Sequence, residues 1–328
     1  MATTKIDWCD RVWNPITGCS RASAGCDNCY AFNMANRLKG RCGYPSDNPM
    51  AVTLHEDKLR EPLRWKKPAR IFVNSMGDLF HEDVPFGWLG MLWKAMWVAP
   101  QHTYMILTKR PERMKAFLDA WYNEKLRQPE RDPDFFPNLY LGVTAENQEM
   151  ADKRIPILLQ IPAAVRFVSV EPMLGPVDLT DLPVPESVDD RVICHRMNAL
   201  TSMDDDHFYN IHPKLDWVIC GAETGHHARP AHPDWFRSLR DQCKGRGVLF
   251  FFKGWGEHIE TELDCVGIKH ANRAGKPKLS MVFKNPNQEF KTLYDLRGCA
   301  TYMERVGKKQ SGHLLDGVEH HEFLEVER

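Results

Sequence analysis

Six short runs of β-branched and aromatic residues recur along the chain, each ending on polar residues: RIFVNS (70–75), TYMILTK (103–109), LYLGVT (139–144), RFVSVEP (166–172), DWVICGA (216–222) and GVLFFFK (247–253). Their apolar character is nearly continuous rather than alternating. A strand of that kind has both faces covered, as in a parallel sheet flanked by helices. Helical segments fall at 85–100 after the first run, 111–128 after the second, 146–160 after the third and 232–247 before the last. In the last of them Pro233 suits a first helical turn, and Gly245 or Gly247 its end. This alternation predicts βα units. A seventh strand is expected around VWNPITG (12–18).

The polar strand ends decide between two α/β architectures. They are Asn74 and Ser75; Thr108, Lys109 and Arg110; Thr144, Glu146 and Asn147; Ser169 and Glu171; Glu223 and Thr224; Lys253 and Trp255. A doubly wound sheet collects ligands mainly at its switch point, whereas an α/β barrel gathers the carboxyl ends of all its strands at one mouth. Polar groups on every strand end favour a parallel (β/α) barrel, partial, of about six or seven strands. It would span residues 1–258, with an insertion rich in Pro, Asp and Met at about 176–214 and a C-terminal extension over 259–328.

The predicted first strand leads directly into GCSRASAGCDNCYA (18–31), which spaces Cys19, Cys26 and Cys29 as C-x6-C-x2-C. Three thiols cannot all pair as disulfides among themselves, but three thiolates can hold a metal centre. Zinc in a structural site takes four ligands, for which Cys9, Cys42 or a histidine would be needed. An iron–sulfur cluster held by three thiolates keeps one iron open. Spacing alone leaves both alternatives standing. The single cysteines Cys194, Cys220, Cys243, Cys265 and Cys299 read as small buried apolar residues, and ten cysteines in 328 residues are too sparse for a disulfide-stapled scaffold.

Net charge near −1 gives no overall basic field, so any nucleic-acid contact must be local. LREPLRWKKPAR (59–70) is one candidate, with Arg60, Arg64, Lys66, Lys67 and Arg70 around Trp65, and Lys308 and Lys309 are another pair of cations. Solvated surface is the competing reading of both. The start of the chain lacks the apolar core of a signal peptide, and the most apolar helical stretch (86–100) is short and interrupted by Lys94. A cytoplasmic protein without membrane contact is expected. The adjacent pairs His226–His227 and His320–His321 would point apart on a helix or strand, which argues against either as a metal site. Neither a phosphate-binding G-x-x-x-x-G-K-[ST] loop nor a G-x-S-x-G elbow is present.

WNPITGCSRASAGCDNCYA, RWKKPARIFVNSMGDLFHEDVP, ILTKRPERM, LGVTAENQ, RFVSVEPMLGPV, DWVICGAETGHHARP and VGKKQSGHLLDG together are similar to an uncharacterised family of phages and bacteria. That family is named after phage gene products thirty-seven and sixty-eight. A three-cysteine loop after the first strand of an α/β barrel also resembles the radical S-adenosylmethionine superfamily. The usual superfamily spacing is C-x3-C-x2-C with an aromatic residue before the last cysteine. Here the first gap is longer, Asn28 holds the aromatic position and Tyr30 follows the cysteine.

The resemblance implies a [4Fe–4S] cluster on Cys19, Cys26 and Cys29, with S-adenosylmethionine on the fourth iron and a 5′-deoxyadenosyl radical that abstracts hydrogen from substrate. It implies that Ser75, Gly77 and Asp78 receive the methionine amino group, that Thr144, Glu146 and Asn147 hold the ribose, and that Tyr30 covers the adenine. Asp78 as a helix cap, and an N-cap with acidic first-turn residues at 144–147, are the plainer alternatives. Lys109 and Arg110 would meet the cofactor carboxylate or a substrate phosphate, and one of Glu171 and Glu223 the substrate. Lys253 and Trp255 would line the pocket. A nucleic acid or nucleotide is the candidate substrate, and a flavodoxin or ferredoxin the candidate reductant. The competing reading is a zinc-stabilised nucleic-acid-binding or partner-docking protein without catalysis.

Overall fold

The computed structural model describes residues 4, 6–123, 136–184, 196–204, 207–211, 213–261, 263–264, 267–268, 279–286 and 300–324. Seven parallel strands form one sheet: β1 (Arg11–Trp13), β2 (Arg70–Val73), β3 (Thr103–Thr108), β4 (Leu139–Thr144), β5 (Val165–Val170), β6 (Trp217–Cys220) and β7 (Leu249–Phe252). They lie side by side in chain order. Parallel neighbours joined by crossovers of one hand put every connecting helix on the same face. Helices α2 (Phe86–Val98), α3 (Pro111–Tyr122), α4 (Gln148–Leu159) and α5 (Pro233–Arg246) do so. A further helix, α1 (Tyr30–Leu38), follows the cysteine loop.

The apolar runs are continuous because both sheet faces are buried. Ile71, Val73, Tyr104, Ile106, Leu141, Val143, Val168 and Val170 join the helix-side core. Their strand neighbours Phe72, Met105, Tyr140, Phe167 and Ile219 form a second core with Trp8, Trp217 and Phe251. Under the helices, the Trp93 and Phe117 rings meet edge to face at 4.7 Å, joining α2 to α3. Pro111 and Pro233 open their helices, and α5 closes on Gly247 at φ 64°.

The sheet does not close into a full barrel: β1 and β7 are not paired among the described residues. The sheet is nonetheless strongly curled. The Phe323 ring lies 5.2 Å from that of Phe251 on β7, while the Arg70 guanidinium at the start of β2 sits 4.6 Å from the same ring. Five strand spacings of about 4.8 Å separate β2 from β7, roughly 24 Å in a flat sheet. Trp8 likewise touches Phe72 of β2 at 4.6 Å and Phe167 of β5 at 6.4 Å. Side chains from the two ends of the chain therefore fill the concave face near the strand starts. The strand ends remain free for a cavity.

The C-terminal part covers the sheet's open edge. Residues 320–322 run antiparallel to β7, with the Phe252 N–H donating to the His320 carbonyl at 2.8 Å and an isolated bridge pairing Phe251 with His321. Before it, β8 (His258–Thr261), β9 (Leu279–Phe283) and β10 (Ala300–Arg305) form an antiparallel sheet with β10 in the middle. Within the 176–214 insertion, Leu182–Pro183 pairs with Arg196–Met197, and residues 185–195 lie outside the described ones. Cys220 and Cys243 are buried, as expected, while Cys194, Cys265 and Cys299 lie outside the described residues. No described helix is long and apolar enough to cross a membrane.

Candidate functional site

All seven strand ends meet at a cavity of about 580 Å³. β1 contributes Asn14, β2 the segment 74–78, β3 Lys109 and Arg110, β4 Thr144, β5 Ser169 and Glu171, β6 Glu223 and Thr224, and β7 Lys253. Cys19, Cys26 and Cys29 line the same cavity, with Tyr30 beside them. The polar strand ends read from the sequence thus share one cavity with the three cysteines, with exceptions. Trp255 is absent from the wall: its indole N–H donates to the Leu314 carbonyl at 2.8 Å and its ring packs on Phe236 and Phe252.

The cysteine loop is locked to the strand ends by charged groups. Arg110 donates from Nη1 to Asp78 Oδ2 at 3.1 Å and to Cys19 Sγ at 3.7 Å, and from Nη2 to Ser20 Oγ at 2.8 Å. Asp78 also accepts from Thr108 Oγ1 at 2.7 Å and from the N–H groups of Phe80 and Lys109. A carboxylate so fully engaged acts as a brace for Arg110 and leaves little capacity for the ammonium that the resemblance would give it. Burial and the nearby Asp78 charge push the Cys19 thiol up to about 11, with Arg110 partly opposing them. Any metal bound there displaces that proton.

Glu146 and Asn147 do not fill the ribose role that the resemblance implies. Glu146 is wholly buried; it accepts from Arg154 Nη1 at 2.9 Å and from the Gly25 N–H at 3.1 Å. Burial opposes its ionisation, but Arg154 and the hydrogen-bond donors around it hold its pKa below the ordinary carboxylate value. It anchors the loop between Cys19 and Cys26. Asn147 caps α4, its Oδ1 accepting from the Met150 N–H at 3.0 Å. Of that trio only Thr144 reaches the cavity.

Glu223 holds the loop's other flank. Arg229 donates to both of its oxygens, at 2.7 and 2.9 Å, and reaches on to the Ala24 carbonyl at 2.9 Å and Asp27 at 3.2 Å. Asn28 Nδ2 donates to Glu223 at 3.0 Å and to the His227 carbonyl at 2.9 Å. Despite burial, these donors keep the Glu223 pKa below its ordinary value. Glu223 is thus spoken for as an anchor, whereas Glu171 faces the cavity paired with Lys253 Nζ at 2.8 and 3.0 Å. Burial works against the Lys253 charge, but Glu171 more than offsets it and raises the lysine pKa. Lys109 Nζ has no partner among the described residues.

Close backbone contact fixes the remaining wall. Gly18 and Gly77 form a parallel bridge, and a Cβ on Gly77 would lie 2.5 Å from the Gly18 carbonyl oxygen. On Gly18, at φ +90°, a Cβ would meet the Ala51 carbonyl oxygen at 2.2 Å. Tyr30 OH donates to the Ser75 carbonyl at 2.5 Å, and Asn14 Oδ1 accepts from Ser75 Oγ and the Met76 N–H. Ser75 and Gly77 are therefore at the cavity, Gly77 tied by its main chain to Gly18 and Ser75 held by the side chains of Tyr30 and Asn14.

Sequence reasoning missed Asn14, Asn28, Arg154 and Arg229 as organisers of the site. Asn28 and Glu223 lie 195 positions apart, whereas Arg154 meets Glu146 from the helix that follows it, where no local pattern marks the pairing. His226 and His227 sit on a turn and not on the helix or strand that would point them apart, and Nδ1 of one comes within 3.3 Å of Nε2 of the other. The His320 and His321 rings do point apart, over Phe250 and Phe251. The 59–70 stretch lies by the strand starts, remote from the mouth, with Trp65 packed under Arg11 at 4.9 Å and Arg70 paired to Asp10.

The thiols on the cavity wall are Cys19, Cys26 and Cys29. A zinc–sulfur bond near 2.3 Å brings two sulfurs within about 4 Å. Among the described residues no three His, Cys, Asp or Glu side chains are gathered to hold one metal ion. Among the described residues, neither Cys9, Cys42 nor a histidine lines the cavity. Three thiols beside open volume could hold a centre that leaves one position for a small molecule.

Comparison with curated proteins and with solved structures finds no match. One family model does match, over residues 3–324, and its description is a protein of unknown function, DUF5131. With nearly the whole chain covered, this protein belongs to the DUF5131 family.

Proposed function

We propose that the chain is a radical S-adenosylmethionine enzyme built on a curled, partial (β/α) barrel. Cys19, Cys26 and Cys29 would hold a [4Fe–4S] cluster. The observation that carries this reading is the convergence of three thiols and seven strand ends on one cavity of about 580 Å³, with no fourth cysteine or histidine among the described residues on its wall. When bound, a reduced cluster and S-adenosylmethionine supply one-electron cleavage of the sulfonium–C5′ bond, and so a 5′-deoxyadenosyl radical for hydrogen abstraction.

This chain's own residues divide the remaining work. Arg110, Glu146 and Arg229 fix the cysteine loop from three sides, so the thiols are held before anything binds. Tyr30, with 54% of its surface exposed and its hydroxyl anchored on Ser75, offers a ring face to the adenine. Lys109, a cation at the wall without a partner among the described residues, would bind the carboxylate of the cofactor or an anionic group of the substrate. The Glu171–Lys253 pair faces the same space and would hold or exchange a proton with the substrate. A flavodoxin or ferredoxin would deliver the electron.

The test is product release. The chain, reconstituted anaerobically with iron and sulfide, is incubated with S-adenosylmethionine and dithionite, and 5′-deoxyadenosine is measured chromatographically. We expect release from the native sequence and none from Cys26→Ala. An iron-loaded chain that releases no 5′-deoxyadenosine contradicts the proposal.

A further inference from the structure

A second cavity of about 490 Å³ adjoins the first and shares Asn28, Cys29, Phe32 and Thr224 with it. Its floor is one face of α1. Cys29 precedes that helix, and Asn33, Asn36 and Arg37 follow at the spacing that stacks side chains on a single helical stripe. From Cys29 to Arg37 the stripe runs for about 12 Å, leading away from the thiols. The amides of Asn33 and Asn36 and the guanidinium of Arg37 have no partners among the described residues. They present unused donors to an open space.

The opposite wall continues the theme. Arg21, His226 and His227 line it, and the Arg21 guanidinium sits 5.5 Å from the centre of the Phe32 ring. Asp27 is the one carboxylate on this wall among the described residues, and it is already held by Arg229 at 3.2 Å and by Arg21 at 3.9 Å. In a chain of net charge −1 this leaves a local positive focus, extended at the first cavity by Lys109 and Lys308. Donor-rich, cationic and flanked by an aromatic ring, such a groove recognises a phosphate ester beside a planar base.

We infer that the second cavity is the phosphate-binding part of the substrate site, taking the phosphate of a nucleotide or of a single-stranded nucleic acid whose reacting portion enters the cysteine cavity. The inference deepens the proposed function, on which it rests only in treating the first cavity as the reaction chamber. Arg37 and Arg21 meet the phosphate. Asn33 and Asn36 donate to its oxygens or to the base edge, and Phe32 offers a stacking face.

Binding to the full chain tests this without any cluster. A fluorescein-labelled single-stranded decanucleotide is titrated by anisotropy across a salt series, with adenosine monophosphate, inorganic phosphate and an oligoglutamate as competitors. We expect Arg37→Glu to weaken binding about tenfold and to lower the salt slope by about 1. Arg64→Glu, on an exposed segment by the strand starts, should change it less than twofold. Displacement of the probe by adenosine monophosphate at low concentration assigns the site to a free nucleotide; weak displacement assigns it to the strand. Unchanged binding by both Arg37→Glu and Arg21→Glu overturns the inference, as does failure of both nucleotide and strand to bind, or oligoglutamate competing as well as the strand. The enzyme reading fails separately. A chain that binds through Arg37 yet never releases 5′-deoxyadenosine refutes that reading and leaves this one.

Discussion

Glu146 illustrates how a single side chain holds the site together. It has no exposed surface, and its two contacts join the cysteine loop to the end of β4 through Gly25 and Arg154. Replacing it by Gln keeps an acceptor for the Gly25 N–H but strands the Arg154 guanidinium without a counter-charge. Breaking a buried pair in this way costs about 3 kcal/mol. We therefore expect urea unfolding at neutral pH to place Glu146→Gln about that far below the native chain. The sign of the pH dependence follows from the lowered pKa. The ionised form contributes stability above the ordinary value of 4.5, and the contribution is lost as pH falls through the lower folded value. The difference between the two proteins should accordingly shrink below pH 4.5. Equal stability at neutral pH would contradict this role. Glu146 was visible in the sequence as a polar strand-end residue, but its task was not. A carboxylate after a strand reads alike whether it faces a ligand or a buried arginine, and Arg154 sits on the following helix with no local signal of the pairing. Arg229 was harder still, since its targets Ala24 and Asp27 lie more than 200 positions away.

At the level of elements, the strands were legible because both faces are buried, so each run is apolar throughout and ends abruptly at the cavity. β1 was foreseen around VWNPITG but spans Arg11–Trp13, reaching only the start of that run, and α5 was bounded by Pro233 and Gly247 as the sequence suggested. A curled sheet was expected with the partial barrel, but what holds the curl was not legible. It depends on side chains from the two ends of the chain, above all Trp8, which is 4% exposed between Phe72 of β2 and Phe167 of β5. Nothing in the local pattern around Trp8 announces contacts with strands so far along. Removing that ring leaves a void in a core that cannot collapse without flattening the sheet. We expect Trp8→Ala to lower stability by about 3–5 kcal/mol, measured from urea midpoints of the full chain. A cost under about 1 kcal/mol would mean that Trp8 is not what supports the curvature.

Across the whole molecule, two demands are met at opposite ends of the sheet. The strand starts are packed with aromatic rings from both ends of the chain, and the strand ends are left open, polar and charged. Into that opening the loop from Cys19 to Cys29 is fastened by residues arriving from β3, β4 and β6. A loop so constrained has lost much of its conformational freedom before any metal arrives, which lowers the cost of binding one. The visible spectrum and iron content of the chain purified without oxygen test this account most directly. The prediction is a brown protein with broad absorbance, about four irons per chain, and loss of both when Cys19, Cys26 or Cys29 is replaced by Ala. A colourless protein that keeps one tightly bound zinc, or an iron content indifferent to those three substitutions, would contradict it.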